Sequence, residues 1–370
     1  LSLPAPGHSP FTEELAGYEA IRLFVERAGE VDSSFALTED NASAVARLCN
    51  ELDGVPLAIE RAAARTRVLT IEQISEKLGD PLGLLTTGIR TAAARHKTLR
   101  ATLQWSYDLL NDAERALLRR LSVFVGGFTL EAVEAIGTVE AGRTLDLLSG
   151  MVDKSLVVAE DEGASYVRYR MLEPVRQFAR EKLRESGEEA EVRRRHAEHY
   201  LALAERAEPE LLGADQGLWL GRLGTEFANL REAHSWSLES GGDEEERAWL
   251  RLRLPAALWR FWGGQRFEEG KRWLQTALER DTGEFPATRA KALDGLGFIL
   301  VFQQDYGRAI DTLEEAIALY EGLGDQSDAA LALANLGYAA LHGGYMERVP
   351  AFVQEGEELM RGDLEGHARA

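Results

Sequence analysis

Three segments in the last third of the chain align with one another, and they limit the fold more than any other feature. AALWRFWGGQRFEEGKRWLQTAL (256–278), GLGFILVFQQDYGRAIDTLEEAI (295–317) and NLGYAALHGGYMERVPAFVQEGE (335–357) share one register. It superposes Leu258, Gly297 and Gly337, then Gly270, Ala309 and Val349, then Leu274, Leu313 and Val353. Each unit reads as two antiparallel helices with a tight turn at the Gly–Gly, Asp–Tyr or Gly–Gly–Tyr site. Small residues at matched positions let the paired helices approach. One such pair cannot bury its apolar face alone, so the units must stack. The match is strongest in the middle unit.

The charge balance excludes some partners. There are 42 Lys and Arg against 62 Asp and Glu, a net charge of −20, so the chain as a whole repels a phosphate backbone. A hydrophobic share of 45% supplies sizeable cores and argues against disorder. With 370 residues, two or three domains are expected. The single cysteine, Cys49, rules out an intrachain disulfide and argues against a Cys-based metal site. No apolar run reaches the ~20 residues of a membrane helix, so a cytoplasmic location and no membrane partner are expected. The chain opens on Leu1 rather than Met, and the reading is a fragment of something larger.

Residues 1–10, with three prolines, read as a linker or the tail of an upstream domain. Residues 11–96 read as a helical bundle. YEAIRLFVERA (18–28) puts Ile21, Phe24, Val25 and Ala28 on one stripe. Thr38 caps a helix with Val45, Leu48, Cys49 and Leu52 inward. Gly54 breaks it, and Pro56 opens the next helix, where its missing N–H costs nothing. Thr70 with Gln73 makes a capping box for a short helix ending near Gly79.

Residues 97–186 change character. Helices over 98–110, from a capping box at Asn111 and Glu114, and behind Thr129 precede a stripe of Leu145, Leu148, Met151 and Val152. SLVVAE, the polar DEGAS and YVRYRM then read as two strands around a turn, and Glu173–Glu185 returns to helix. Helices followed by a hairpin suggest a winged-helix domain. The helix that would enter a DNA groove, GRTLDLLSGMVDKS, sets Asp146 and Asp153 against Arg143 and Lys154. It has no Arg or Asn/Gln row for base edges, so DNA reading by it is disfavoured. Residues 187–245 read as connecting helices, and 246–370 as the repeats. RRRHAEHY (193–200) is the one dense basic run, read as a solvated helix face balanced by Glu188, Glu189 and Glu191. His196 and His199 lack further metal-ligand partners nearby. Six of the seven tryptophans fall between Trp219 and Trp273, at spacings that suit core packing.

Several motifs in order, EAIRLFVERA (19–28), LCNELDGVPLAIERAAAR (48–65), LRATLQWSYDLL (99–110), RRLSVFVGGFTLEAVEAI (119–136), LLSGMVDKSLV (147–157) and YRMLEPVRQFAREKL (169–183), resemble the NB-ARC-like, STAND-class signalling ATPases. The likeness is to large bacterial transcriptional regulators of the LuxR/AfsR type. It implies an ATPase core, then a helical domain, a winged-helix domain and tetratricopeptide-like repeats, here longer than the usual 34 residues. The expected fold class is therefore all-α dominated: a helical bundle, a winged-helix domain with a small β-hairpin, and a tetratricopeptide-like α-solenoid. Gly54, Pro56 and Leu57 resemble the family's GxP motif, whose proline packs on adenine. Met171-Leu172-Glu173 resembles the position of the MHD motif; Leu172 stands where other relatives place a phosphate-contacting histidine and cannot donate a hydrogen bond. Arg170 or Arg176 is the substitute candidate.

No GxxxxGK[ST] occurs in the chain, and no Walker B strand. The expectation is a fragment without ATPase activity or a cofactor of its own, and with no catalytic or metal residue. The resemblance implies ATP/ADP with magnesium for the full-length protein, held with the missing upstream core. The leading reading is a regulatory fragment of a nucleotide-gated regulator, probed by an inducer or partner on the repeats, with DNA bound only through a domain outside this chain. The alternative is a non-catalytic protein-interaction scaffold working through its repeats. Trp259, Trp262, Phe298, Phe302 and Tyr338 are the candidate partner-binding residues, in a groove over about residues 255–345. Since Trp259, Phe261 and Trp262 cannot share one helical face, some of them are expected to be exposed.

Overall fold

The computed structural model describes residues 1–4, 15–52, 54, 56–77, 92–137, 143–160, 167–239, 244–263 and 266–369. It divides into two compact units, residues 1–192 and 193–370.

The first unit opens with four bundle helices: α1 Glu19–Val31, α2 Glu39–Glu51, α3 Pro56–Ala63 and α4 Ile71–Lys77. Their starts are written locally. Thr38 and Asn41 form a reciprocal capping box, as do Thr70 and Gln73. Ile21, Phe24, Ala28, Val45, Leu48, Cys49 and Leu52 pack inward as the periodicity requires, and Val25 is half-buried. Each large apolar side chain buried this way is worth about 1.5–3 kcal/mol. Burial pushes the Cys49 thiol up to about 12, so it stays a protonated core group. Residues 1–4, expected to be linker, lie on this bundle: Ser2 and Glu19 exchange two hydrogen bonds at 2.9 and 3.0 Å, Leu3 packs on the core and Pro4 is buried. Residues 5–10 and Gly79 lie outside the described residues.

Next come α5 Ala92–Asp108, α6 Asp112–Leu121, α7 Leu130–Ile136, α8 Arg143–Asp153, β1 Val158–Glu160, β2 Arg168–Arg170 and α9 Glu173–Ser186. Asn111 and Glu114 close a capping box on α6, and Thr129 caps α7. The strands pair antiparallel, Val158 opposite Arg170 and Glu160 opposite Arg168. Phe128 bridges to Tyr169 by two backbone bonds at 2.8 and 2.9 Å, so the segment before α7 lies along the hairpin. Gly127, at φ 103°, permits this: a Cβ there would sit 2.9 Å from the Tyr169 carbonyl oxygen. The strands are shorter than the sequence pattern suggests. Leu156 and Val157 bond back to the Met151 carbonyl, so 155–157 completes the exit from α8 before the ladder begins. DEGAS (161–165) lies outside the described residues. Leu145, placed on the buried stripe by its spacing, is 46% exposed, because α8 buries only Thr144, Leu148 and Met151.

Helix α10, Glu189–Glu210, leads into the second unit. There follow α11 Gln216–Thr225, α12 Phe227–Leu238, α13 Glu244–Ala257, a 3₁₀ turn Trp259–Trp262, α14 Phe267–Glu279, α15 Pro286–Phe302, α16 Tyr306–Leu323, α17 Gln326–Gly343 and α18 Val349–Arg369. Helices α14 to α18 pack each on the next, in the order of the aligned segments. The matched small residues work unevenly. A Cβ at Gly270 would meet the Trp262 ring at 2.3 Å, and one at Gly297 would meet Leu313 at 2.5 Å. At Gly337 it would meet nothing within 4 Å, and Val353 is 54% exposed. The close approach is thus built in the first two units and relaxed in the third.

Candidate functional site

Two groups of residues were singled out by the sequence, one in each unit. In the first unit, Gly54 is buried at φ 65°, and a Cβ there would lie 2.7 Å from the Leu1 carbonyl oxygen and 3.3 Å from Leu3. Only glycine fits this corner. Pro56 is the first residue of α3 and exposed; the Leu57 side chain is outside the described ones. Leu172 is half-buried and precedes α9 as its N-cap. The Arg170 Nε donates to Glu160 across the hairpin at 2.6 Å. Arg176 forks onto Glu173 at 2.8 and 2.9 Å, and Arg176 holds that carboxylate below its usual range, by its hydrogen bond first. Both candidate phosphate arginines are therefore engaged by carboxylates. Among the described residues, no hydrogen bond or ion pair joins Gly54 or Pro56 to Arg170 or Leu172. The helix that Pro56 opens is joined instead to the end of α8. Arg61, on α3, donates from Nη1 to the Lys154 carbonyl at 3.0 Å and from Nη2 to that of Ser155.

Helix α8 occupies the place of a recognition helix. Its exposed positions are Arg143, Leu145, Asp146, Ser149 and Asp153, one base against two acids. Lys154, just past its end, is tied to Glu114 at 2.5 Å. Near a phosphate backbone this face is at best neutral.

The basic run on α10 is less solvated than its sequence suggests. The Arg193 side chain is 11% exposed and pairs with Glu239 at 2.7 Å and Glu232 at 3.5 Å, while Arg194 pairs with Glu198. Two of the acids expected to balance it pair with other arginines: Glu188 with Arg119 and Arg120, and Glu189 with Arg180 and Arg184. His196 is buried against Tyr200, with its Nε2 3.5 Å from Asn229 Oδ1. Among the described residues no group of three or more His, Cys, Asp or Glu is placed to hold a metal ion.

The aromatic candidates of the second unit split. Trp259 is 5% exposed, Trp262 fully buried, and Phe261 buried beside them, so none of the three offers a binding face. The expectation of exposure fails because these residues form a 3₁₀ turn rather than a continued α-helix. The turn places Trp259 and Trp262 on one side, and Phe261 meets Phe227 at 5.5 Å. Phe298 is half-buried against Trp259 at 5.4 Å. Phe302 and Tyr338 are 58% and 53% exposed. Phe302 stacks on Phe267 at 5.5 Å, and Tyr338 lies 4.3 Å from His342, which in turn stacks 6.2 Å from Tyr306. Exposed aromatics therefore sit near the turns of successive helical hairpins.

Sequence reasoning missed a buried acid. Asp294 in α15 is 4% exposed, accepts from Asn335 at 3.2 Å, and is pushed up to about 6 by burial, against the pull of Asn335 and Arg260 and with Asp328 adding to the rise. Glu208 and Asp328 are raised by burial as well, Glu208 while bonded to Lys291 at 3.0 Å. The signal was a lone Asp inside the apolar run ALDGLGFIL. Arg61 was likewise visible as a base on the Ala58–Ala62 stripe.

Residues 110–184 match the model of the winged helix-turn-helix domain, so the chain carries such a domain. Over 266 residues it is 44% identical to proteins of Mycobacterium tuberculosis and Mycobacterium bovis named as candidate HTH-type transcriptional regulators. The match covers 70% of this chain and 29% of the relative, so the chain spans under a third of these proteins' length. A second M. tuberculosis protein, named only as uncharacterized, is 46% identical over 185 residues, covering 49% of this chain and 47% of that one. A crystal structure of a Signal Transduction ATPase with Numerous Domains (STAND) protein with a tetratricopeptide repeat sensor, from Pyrococcus horikoshii, aligns at 16% identity over 93% of this chain and 54% of that chain. Its TM-score is 0.35. The mycobacterial relatives that are named for a function are named as transcriptional regulators. No helix among the described residues is long and apolar enough to cross a membrane.

Proposed function

We propose that this chain is a non-catalytic regulatory segment of an HTH-type transcriptional regulator, working in the cytoplasm through partner binding on its helical hairpins. Residues 11–96 act as a helical domain, 97–186 as the winged helix, 187–245 as connecting helices and 246–370 as a tetratricopeptide-like scaffold. The observation that carries the reading is the exposed aromatic pair Phe302 and Tyr338, held near the hairpin turns on a rigid helical frame. Exposed aromatics on a preformed surface are the usual anchors of a partner. The winged helix serves as a packing module, because the face of α8 left to solvent carries Asp146 and Asp153 against Arg143. Crosslinking of the full-length regulator with and without its inducer tests this. Protection or crosslinks on residues 255–345 are expected; changes confined to residues 1–186 would overturn it.

A second reading has an observation of its own. Pro56 stands exposed at the first turn of α3, a rigid apolar surface of the kind that packs on adenine. In this reading the full-length protein binds ATP or ADP with magnesium through an upstream core, and Gly54, Pro56 and Leu57 close over the base. The ADP off-rate of full-length Pro56→Ala should then exceed that of wild type, and equal rates would remove the assignment.

A further inference from the structure

We propose that the aromatic ledge along the helical hairpins binds a proline-rich peptide in the polyproline II conformation, with a basic residue among its prolines. This rests on the reading of the hairpins as the partner surface, and it names the chemistry of the partner.

One aromatic triad occurs twice, one repeat apart. Phe298 and Phe302, four residues apart on α15, tilt against each other at 4.7 Å and 51°. Phe302 stacks on Phe267, the first residue of α14, at 5.5 Å and 18°. Tyr338 and His342 hold the same two positions on α17, at 4.3 Å and 41°. His342 stacks on Tyr306, the first residue of α16, at 6.2 Å and 25°. In the aligned segments Tyr306 falls at Phe267, Tyr338 at Phe298 and His342 at Phe302. These stacks join one unit to the next without using up the rings. Phe302 belongs to the middle unit, with α14 packed on one side and α17 on the other, and is still 58% exposed. Stacking of units therefore does not cover it. Exposed Tyr345 extends the second triad: a Cβ at Gly343 would lie 2.9 Å from the Tyr306 Cβ and 3.3 Å from the Tyr345 ring.

The spacing of the triads selects the backbone of the ligand. Helices α15 and α17 touch directly, and helices in contact lie about 8–10 Å apart. Equivalent residues on them are separated by about that distance. A polyproline II helix has three residues per turn and rises 3.1 Å per residue, about 9.3 Å per turn. Prolines three apart thus present one ring to each triad. An extended strand, with same-face residues about 6.8 Å apart, misses this step. The polyproline II backbone has no internal hydrogen bonds, so its carbonyls need donors. The hydroxyls of Tyr306, Tyr338 and Tyr345 supply them at the ledge.

The charge beside the ledge selects the basic residue. Asp294 lies one helical turn before Phe298 on α15, about 5–6 Å along the axis, within reach of a lysine or arginine side chain. Asp294, Asp328, Asp325 and Glu208 all act on the buried Tyr320 hydroxyl, so four carboxylates from α10, α15 and the start of α17 converge there. The bases acting on this group are Lys291 and Arg260. Four acids against two bases leave negative charge in excess, complementary to a cationic side chain.

Fluorescence anisotropy of the intact 370-residue chain tests the site, with a labelled decaproline carrying one internal arginine as the probe. It should bind with a Kd below about 1 mM, and the same peptide with every proline replaced by alanine about tenfold or more weakly. Phe302→Ala and Tyr338→Ala should each weaken the probe about fivefold or more, Phe302→Tyr should keep its affinity, and Asp328→Asn should remove the advantage of the arginine. No binding at about 1 mM, equal binding of the alanine peptide, or indifference to both alanine variants overturns the proposal. Should those variants fail to fold, competition on the wild-type chain decides. Prolines spaced three apart should displace the probe about tenfold better than the same residues with prolines spaced four apart, and equal displacement overturns it. Crosslinking of the full-length regulator reads the underlying partner surface separately. Crosslinks on residues 255–345 with no probe binding overturn the peptide chemistry alone, and crosslinks confined to residues 1–186 overturn both.

Discussion

The two units are specified in different ways. In the first, the helix starts are written in side chains: Thr38, Thr70, Asn111 and Thr129 each accept from a backbone N–H, three of them in reciprocal boxes. In the second, Asp325 is the one capping side chain seen from α15 onward among the described residues. There α15 is buried nearly all round, through Ala290, Leu293, Leu296, Ile299 and Leu300, with Gly295 and Gly297 under Trp259 and Leu313. Helices with local stop and start signals tolerate imperfect packing. Helices without them depend on close fit, so a single methyl group matters more in the second unit.

The largest break in that contrast should come from Gly270→Ala. Its Cβ would fall 2.3 Å from the Trp262 ring, so ring or helix must move, at about 3 kcal/mol. Gly297→Ala should cost about 1–3 kcal/mol against Leu313. Gly337→Ala, at the same repeat position, meets nothing and should stabilise by up to about 1 kcal/mol through helix propensity. Urea unfolding followed by tryptophan fluorescence reads all three, since six of the seven tryptophans lie in the second unit.

Asp294 gives the next effect. Its folded value of about 6 lies above the ordinary carboxylate range, so the folded unit holds a proton that the unfolded chain gives up. Stability from this group is fully present below about pH 4 and is lost as pH rises through about 6. Asp294→Asn should remove that slope and stabilise the second unit at pH 7 by about 2–3 kcal/mol. Asp328 and Glu208, also raised, leave a smaller slope of the same sign. Unfolding midpoints at pH 4.5 and 7 for wild type and variant check this.

In the first unit, Thr38→Ala and Asn111→Ala should each cost about 1 kcal/mol, with no change in the tryptophan-reported midpoint of the second. Smallest of all, Phe302→Ala and Tyr338→Ala should change stability by less than about 0.5 kcal/mol, being exposed, while lowering affinity for a partner seated on the hairpins. A large loss of stability from either would move these aromatics into the core and blur the difference between the units.

Much of the first unit was legible because its signals are local. Capping boxes span three residues, and the stripe of Ile21, Phe24 and Ala28 follows from helical period alone. The candidate nucleotide residues were legible only as a motif. The carboxylate partners of Arg170 and Arg176 were hidden until the hairpin and α9 set them in place. In the repeats, the register of Gly270 and Gly297 was readable, but the exposure of Trp259 and Trp262 was misjudged. A 3₁₀ turn after Pro255 and Leu258 has no period long enough to detect.

The sequence by itself determined the order of helices, the hairpin between Val158 and Arg170, the repeat period and the lack of a phosphate-binding loop. These depend on neighbours within a few residues, or on the mere presence of a motif. Tertiary structure decided which aromatics remain on the surface, that Asp294 lies in the interior, and that Arg61 reaches across 93 residues of chain to the end of α8. Each of these depends on what packs against a side chain from a distant part of the chain. Burial, and with it the cost of a charge, is fixed by those neighbours and not by the residue's own position in the sequence.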